Sequence, residues 1–234
     1  MGACGKLEHS LLHLLLSLGL PSNTAQPITT STLATHRNIT ETCFQGSLAV
    51  PMAPKPRPSE LPPAPKPVVH LAQSIVISEQ ASLTGNFPIR VGQHTVIHPR
   101  AKLNSLAGPI TIGDFCIVSE RALIAAPDQD GLEIESYVVI ETNAVVEARR
   151  VGEGTTVEVG VKIGKGAVVG SNCKITPLNK IEESEIVDDS TVIYGVGQRR
   201  IDISGSRDAR RKLTEKQVEA LKQLIPSNRT KFMS

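Results

Sequence analysis

A branched apolar residue returns at nearly every sixth position across residues 134–193: Ile134, Ile140, Val146, Val151, Val157, Ile163, Val169, Ile175, Ile181, Val187 and Ile193. Only the step from Val146 to Val151 is one residue short. Six matches neither the helical period of about 3.6 nor the two-residue period of a strand, so the unit is a short strand plus a turn, repeated. Two positions before these residues stands a smaller one, as at Ala144, Thr155, Val161, Ala167, Cys173 and Thr191. Positions i and i−2 share a strand face, so each rung sends one large and one small side chain inward. Glycines and polar residues follow the large one, as in Gly152-Glu153-Gly154 and Gly164-Lys165-Gly166, where a backbone turns with little Cβ obstruction. The period therefore predicts an all-β solenoid whose units stack around one apolar column.

The same grammar runs upstream through Ile77, Leu83, Val91, Ile97 and Leu103, then Ile112, Val118 and Ile124, with Ala81, Thr95, Ala101, Cys116 and Ala122 in the small slots. Residues 86–88, 104–109 and 125–131 interrupt it and read as loops at the corners. At about three hexads per turn the chain makes about six coils. Trp is absent and aromatics are 3%, which suits a thin column of Ile, Val and small residues.

Charge is uneven: residues 68–200 hold 12 basic and 16 acidic side chains, a balance of −4, and residues 201–234 hold 8 and 4, a balance of +4. So small a local surplus argues against a nucleic-acid partner, whose affinity comes from many phosphate contacts. The four cysteines, Cys4, Cys43, Cys116 and Cys173, form no CxxC pair. Cys116 and Cys173 occupy small inward slots, so they read as reduced core residues, which favours the cytosol.

Residues 1–67 read as a disordered, Pro-rich N-terminal extension. The Leu-rich run at residues 10–20 follows a single Lys6 and shows no clear small-x-small cleavage site, so neither export nor a membrane span is expected. Residues 51–67 carry eight prolines among Lys55, Arg57 and Lys66, a stiff extended linker that acts as a spacer or docks on an SH3-type groove. Met52 opens it and is an alternative initiator. Residues 68–200 form the solenoid. Residues 201–234 form a linker and a C-terminal helix over about residues 214–225, in which Thr214 caps the first turn with Gln217 completing a capping box, and Leu213 staples against Val218. Its apolar stripe is Val218, Leu221, Leu224 and Ile225, ended by Pro226. So short a helix is marginal alone, which places the stripe against a flat face of the coils.

The hexads resemble those of the left-handed parallel β-helix, hexapeptide-repeat family, which includes acyltransferases, gamma-class carbonic anhydrases and two dynactin subunits. The strings Thr95-Val96-Ile97-His98-Pro99, Ala107-Gly108-Pro109-Ile110-Thr111-Ile112-Gly113, Ala122-Leu123-Ile124 and Thr191-Val192-Ile193-Tyr194-Gly195 are similar to the dynactin subunit 6 family over about residues 70–226. The resemblance implies a left-handed β-helix and a non-catalytic structural subunit of the dynactin pointed-end complex. It further implies pairing with dynactin subunit 5, proximity to the pointed-end actin-related protein and dynactin subunit 4, and a cytoplasmic, cytoskeleton-associated role in dynein-driven microtubule transport and cargo recruitment.

The enzyme alternative rests on the same family. Gamma-class carbonic anhydrases hold zinc on three converging histidines. Here His70, His94 and His98 lie near the first coils and no histidine follows His98. The stretch where that family places its paired histidines reads Val157-Glu158-Val159-Gly160-Val161-Lys162-Ile163. His94 and His98 flank the rung Thr95-Val96-Ile97 at its two corners and do not converge, which gives both a surface role. Hexad acyltransferases need a histidine base deeper in the coils. Glu182-Glu183 and Asp188-Asp189 are chain neighbours that point apart along a strand and read as solvated corners. Gly152-Glu153-Gly154 lacks the helix that follows a phosphate loop. No catalytic, cofactor-binding or metal-ligating residue is assigned, and no cofactor or small-molecule substrate is expected.

Overall fold

Each hexad becomes a strand of a few residues and a corner, and three such units close one coil. The computed structural model describes residues 65–233. Within them the chain is a left-handed parallel β-solenoid of about six turns with one C-terminal helix. The first face stacks Val69–Leu71, Ile89–Val91, Ile110–Ile112, Leu132–Ile134, Arg150–Val151, Val168–Val169 and Ile186–Val187. The second stacks Val76–Ile77, Val96–Ile97, Ile117–Val118, Val139–Ile140, Thr156–Val157, Lys174–Ile175 and Thr191–Tyr194. The third stacks Ser82–Gly85, Lys102–Ser105, Leu123–Ala125, Val145–Val146, Lys162–Ile163 and Lys180–Ile181.

Register follows the hexads. Ile140 pairs with Val157, Val157 with Ile175 and Ile175 with Ile193, so each large residue stacks on another. The short step after Val146 is absorbed at the corner, because Ile134 still pairs with Val151 and Val151 with Val169. These side chains are buried and form one continuous core. Polar groups in the small slots are satisfied between coils: Thr95 Oγ1 donates to the Gly113 carbonyl and Thr155 Oγ1 to the Gly170 carbonyl, each at 2.8 Å. The Cys116 thiol donates to the Glu135 carbonyl at 3.0 Å and that of Cys173 to Asp188 at 3.1 Å. Burial pushes the Cys116 thiol up to about 12 and also raises that of Cys173.

The glycines of one turn have different duties. Gly154 sits at φ +67°, which disfavours a Cβ, whereas a Cβ on Gly152 would lie 2.6 Å from the Gly170 carbonyl carbon of the next coil. The same left-handed corner is filled in other coils by His94, Phe115, Tyr137, Asn172 and Ser190, all near φ +55 to +60°. A residue with a side chain loses roughly 1–2 kcal/mol in that conformation, which stacking across the corner must offset.

The period does not simply stop after Ile193. The strand Thr191–Tyr194 turns through Gly195 and Gly197 and returns antiparallel as Gln198–Ile201, pairing Thr191 with Ile201 and Tyr194 with Gln198. At the other end Pro65 accepts a hydrogen bond from Gly85 N–H at 3.0 Å, so the packed chain reaches upstream of residue 68. The expectation for residues 1–64 lies outside the described residues.

Candidate functional site

The solenoid's distinguishing surface is the outer side of its second face. Outward positions there carry Val76, Val96, Ile117 and Val139, an apolar row where a solvated strand would alternate to polar. The helix α1 (Arg207–Leu224) covers it, burying Val218 to 1% exposure against Val76, Val96 and Ile117, with Leu221 and Ile225 beside it.

The expected helix start at residue 214 is corrected to Arg207. The Arg-rich segment looks solvated in sequence, but its guanidinium groups meet other coils. Arg207 donates to Ser190 Oγ at 2.9 Å, Arg210 pairs with Asp202 at 3.4 Å and Arg211 with Glu153 at 2.8 Å. Thr214 lies inside the helix, buried, with Oγ1 donating to the Arg210 carbonyl four residues back, so it caps nothing. Ser206 is the N-cap and Ile225 the extended C-cap. Leu213 (56% exposed) and Leu224 (75% exposed) face solvent, so the staple does not form and the stripe is Val218, Leu221 and Ile225.

Polar contacts follow the left-handed corner coil by coil. His94 stacks on Phe115 with centroids 4.7 Å apart, and Phe115 on Tyr137 at 5.2 Å. Arg211 lies 5.4 Å over the Tyr137 ring, and the Tyr137 hydroxyl donates to Glu215 at 3.2 Å. Lys222 Nζ donates to His94 Nδ1 at 2.5 Å. The helix thus runs from the last coil back to the second. Its 18 residues at about 1.5 Å each give about 27 Å, against about 24 Å for the five coil steps between Ser190 and His94.

His94 and His98 do lie on either side of the strand Val96–Ile97, but neither is the free surface group expected. His94 is held in the aromatic stack, and His98 is half-buried with Nε2 enclosed and without a hydrogen-bond partner. Burial lowers the His98 pKa below the ordinary imidazole value, opposed by the nearby Glu120 carboxylate. His70 is exposed on the first face. Glu182, Glu183, Asp188 and Asp189 are exposed. A concavity of about 640 Å³ on the first face includes Glu133, Arg149 and Arg150, but Arg149 is paired with Asp130 and Arg150 with Glu135. Among the described residues no three His, Cys, Asp or Glu side chains gather to hold a metal ion, and no helix is long and apolar enough to cross a membrane.

The segment after α1 closes the first coil. Ser227 bridges Ser78 antiparallel, Ser227 Oγ accepts Ile77 N–H at 3.2 Å, and Asn228 N–H donates to the Ile77 carbonyl at 3.0 Å. Phe232 then packs on the end of the main core.

No protein-family model matches the chain. Over 56 residues it is 36% identical to dynactin subunit 6 of Danio rerio, covering 24% of this chain and 28% of that protein. Over 69 residues it is 33% identical to dynactin subunit 6 of Xenopus tropicalis, covering 26% and 33%. The matched stretch thus spans a third or less of these curated relatives. Among solved structures, a hexapeptide transferase family protein from Anaplasma phagocytophilum superposes with a TM-score of 0.52 at 17% identity, over 68% of this chain and 97% of that one. That likeness is one of fold.

Proposed function

We propose that the chain is a non-catalytic structural subunit of dynactin, placed in the pointed-end complex and serving dynein-driven transport and cargo recruitment. In this reading it is cytoplasmic and cytoskeleton-associated, pairs with dynactin subunit 5, and lies near the pointed-end actin-related protein and dynactin subunit 4. The observation that carries it is the 33–36% identity to dynactin subunit 6 in two vertebrates. The geometry supports it, because an apolar seam and the Arg211–Glu153 ion pair hold α1 on the second face, which gives that face a structural rather than a catalytic duty. Affinity purification of the tagged full chain from its native cells, read by mass spectrometry, should return dynactin subunits in constant ratio. Their absence from an otherwise soluble preparation overturns the reading.

A hexapeptide-type acyltransferase is the second reading, favoured by the fold shared with the Anaplasma phagocytophilum protein. Saturable binding of acetyl-CoA by calorimetry, with acetyl transfer to an amine acceptor, would support it instead.

A further inference from the structure

The first coil is left partly open. Its inward residues Val69, Leu71 and Leu83 are half-buried, whereas Ile89, Val91 and Leu103, which pair with them one coil on, are at most 3% exposed. The tail closes the second face by taking the N–H and C=O of Ile77, and Phe232 packs on the same core end. A cavity of about 270 Å³ remains, lined by Val69, Ala81, Leu83 and Phe232 together with exposed Lys66 and Lys231. An end coil has a neighbour on one side only, so its apolar cross-section calls for a cover. The chain arrives at this point: the Pro65 carbonyl accepts Gly85 N–H at 3.0 Å, and Lys66 and Pro67 are part of the cavity wall.

We propose that this cavity is the docking site of the chain's own segment Glu60-Leu61, with the Leu61 side chain filling it and the Glu60 carboxylate between Lys66 and Lys231. Pro62, Pro63, Pro65 and Pro67 have no N–H, so the chain upstream of the first strand cannot extend the ladder by another coil. What it can offer the open core is a side chain. Leu61 is the one large apolar residue between residues 53 and 67, and four residue steps, at most about 14 Å of extended chain, bring it to Pro65. Charge selects the same segment. Glu60 is the one acidic residue from 42 to 78, and neither Lys66 nor Lys231 has an ion pair among the described residues, since Lys231 Nζ donates to the Glu79 backbone carbonyl. The other charged or titratable groups on the strands around the cavity are Lys102, in register with Ser82, and His70 and Arg90 on the outward side of the first face, against Glu79 alone. The prolines on both sides of Glu60-Leu61 restrict the unbound chain and so reduce the entropy lost on docking. A chain begun at Met52 keeps this cover, because Glu60 and Leu61 lie downstream of it.

The test uses the full chain with labelled leucine methyl groups and phenylalanine rings. Nuclear Overhauser contacts should join the Leu61 methyls to the Phe232 ring, with the Leu61 signals assigned by their loss in Leu61→Ala. Hydrogen exchange read by mass spectrometry gives the second arm. Leu61→Ser should speed exchange in Val69–Leu71 and Ser82–Gly85 by at least about tenfold and leave Thr156–Val157 and Lys174–Ile175 unchanged. Glu60→Lys should act in the same direction, and Leu48→Ser, elsewhere in the extension, should change nothing. Absence of the Leu61–Phe232 contact overturns the proposal, as does exchange in the first coil that Leu61→Ser leaves as it was. A contact seen only between differently labelled chains in a mixed sample makes a second copy the occupant, and overturns it too.

Discussion

Replacing Ile163 with Ala tests the hexad register where it is most constrained. Ile163 is 1% exposed in the third face and pairs in register with Val146 on one side and Ile181 on the other. Three carbons leave the core, and at about 0.8 kcal/mol each their transfer accounts for about 2.4 kcal/mol. Val146 and Ile181 are fixed by their own strands, so the hole cannot collapse far. A cavity contribution therefore adds to transfer and brings the cost to about 3–4 kcal/mol, inside the range of about 2–5 for such changes. The assay is urea unfolding followed by far-ultraviolet circular dichroism, with the slope compared between variants so that a midpoint shift is read as stability. Lys165 in the adjacent turn is exposed, and Lys165→Ala should stay within about 0.5 kcal/mol. Equal costs at the two positions would refute the register, and so would a cost at Ile163 below about 1 kcal/mol.

Val218→Asp should cost about 3 kcal/mol and expose α1 to limited proteolysis while the coil signal persists, whereas Leu224→Asp, already 75% exposed, should change neither reading. Because burial lowers the His98 pKa, the folded chain resists a proton that the unfolded chain accepts. Stability is then complete above about 6.5 and falls as pH drops below it, and His98→Gln should reduce that slope in paired urea titrations. With burial holding their thiols protonated, Cys116 and Cys173 should react with iodoacetamide only after unfolding, as read peptide by peptide by mass spectrometry.

The coils were legible because their cause is local and repeated. A large residue every sixth position and a small one two before it specify strand, corner and inward face within a single unit, and pairing such as Val157 with Ile175 only copies that unit one coil on. The return strand Gln198–Ile201 also had a local signal in Gly195-Val196-Gly197, but its own residues are polar and exposed, so no apolar alternation announced it. The start of α1 had no local signal. Arg207, Arg210 and Arg211 become helical with partners on Ser190, Asp202 and Glu153, and most of those contacts exist only once the coils have stacked. The apolar row Val76, Val96, Ile117 and Val139 was readable as outward positions lacking polar alternation, and it marks the covered face before the helix is located.

That row also decides which surface of the solenoid is left to solvent. A helix anchored by Val218, by an aromatic stack and by charged contacts spread over the coils turns an open β face into a buried seam, so the second face keeps little surface for another chain. The tail that follows closes the first coil through Ile77. At the other end Leu178, Ile186, Val196 and Ile201 are exposed. Backbone donors directed away from the core cost free energy unless they are solvated or paired, and exposed branched residues beside them favour pairing over solvation. At that end the first and third faces finish on strands that no described strand extends, whereas Gln198–Ile201 already pairs with the last strand of the second, so the pairing left open belongs to two faces of the three.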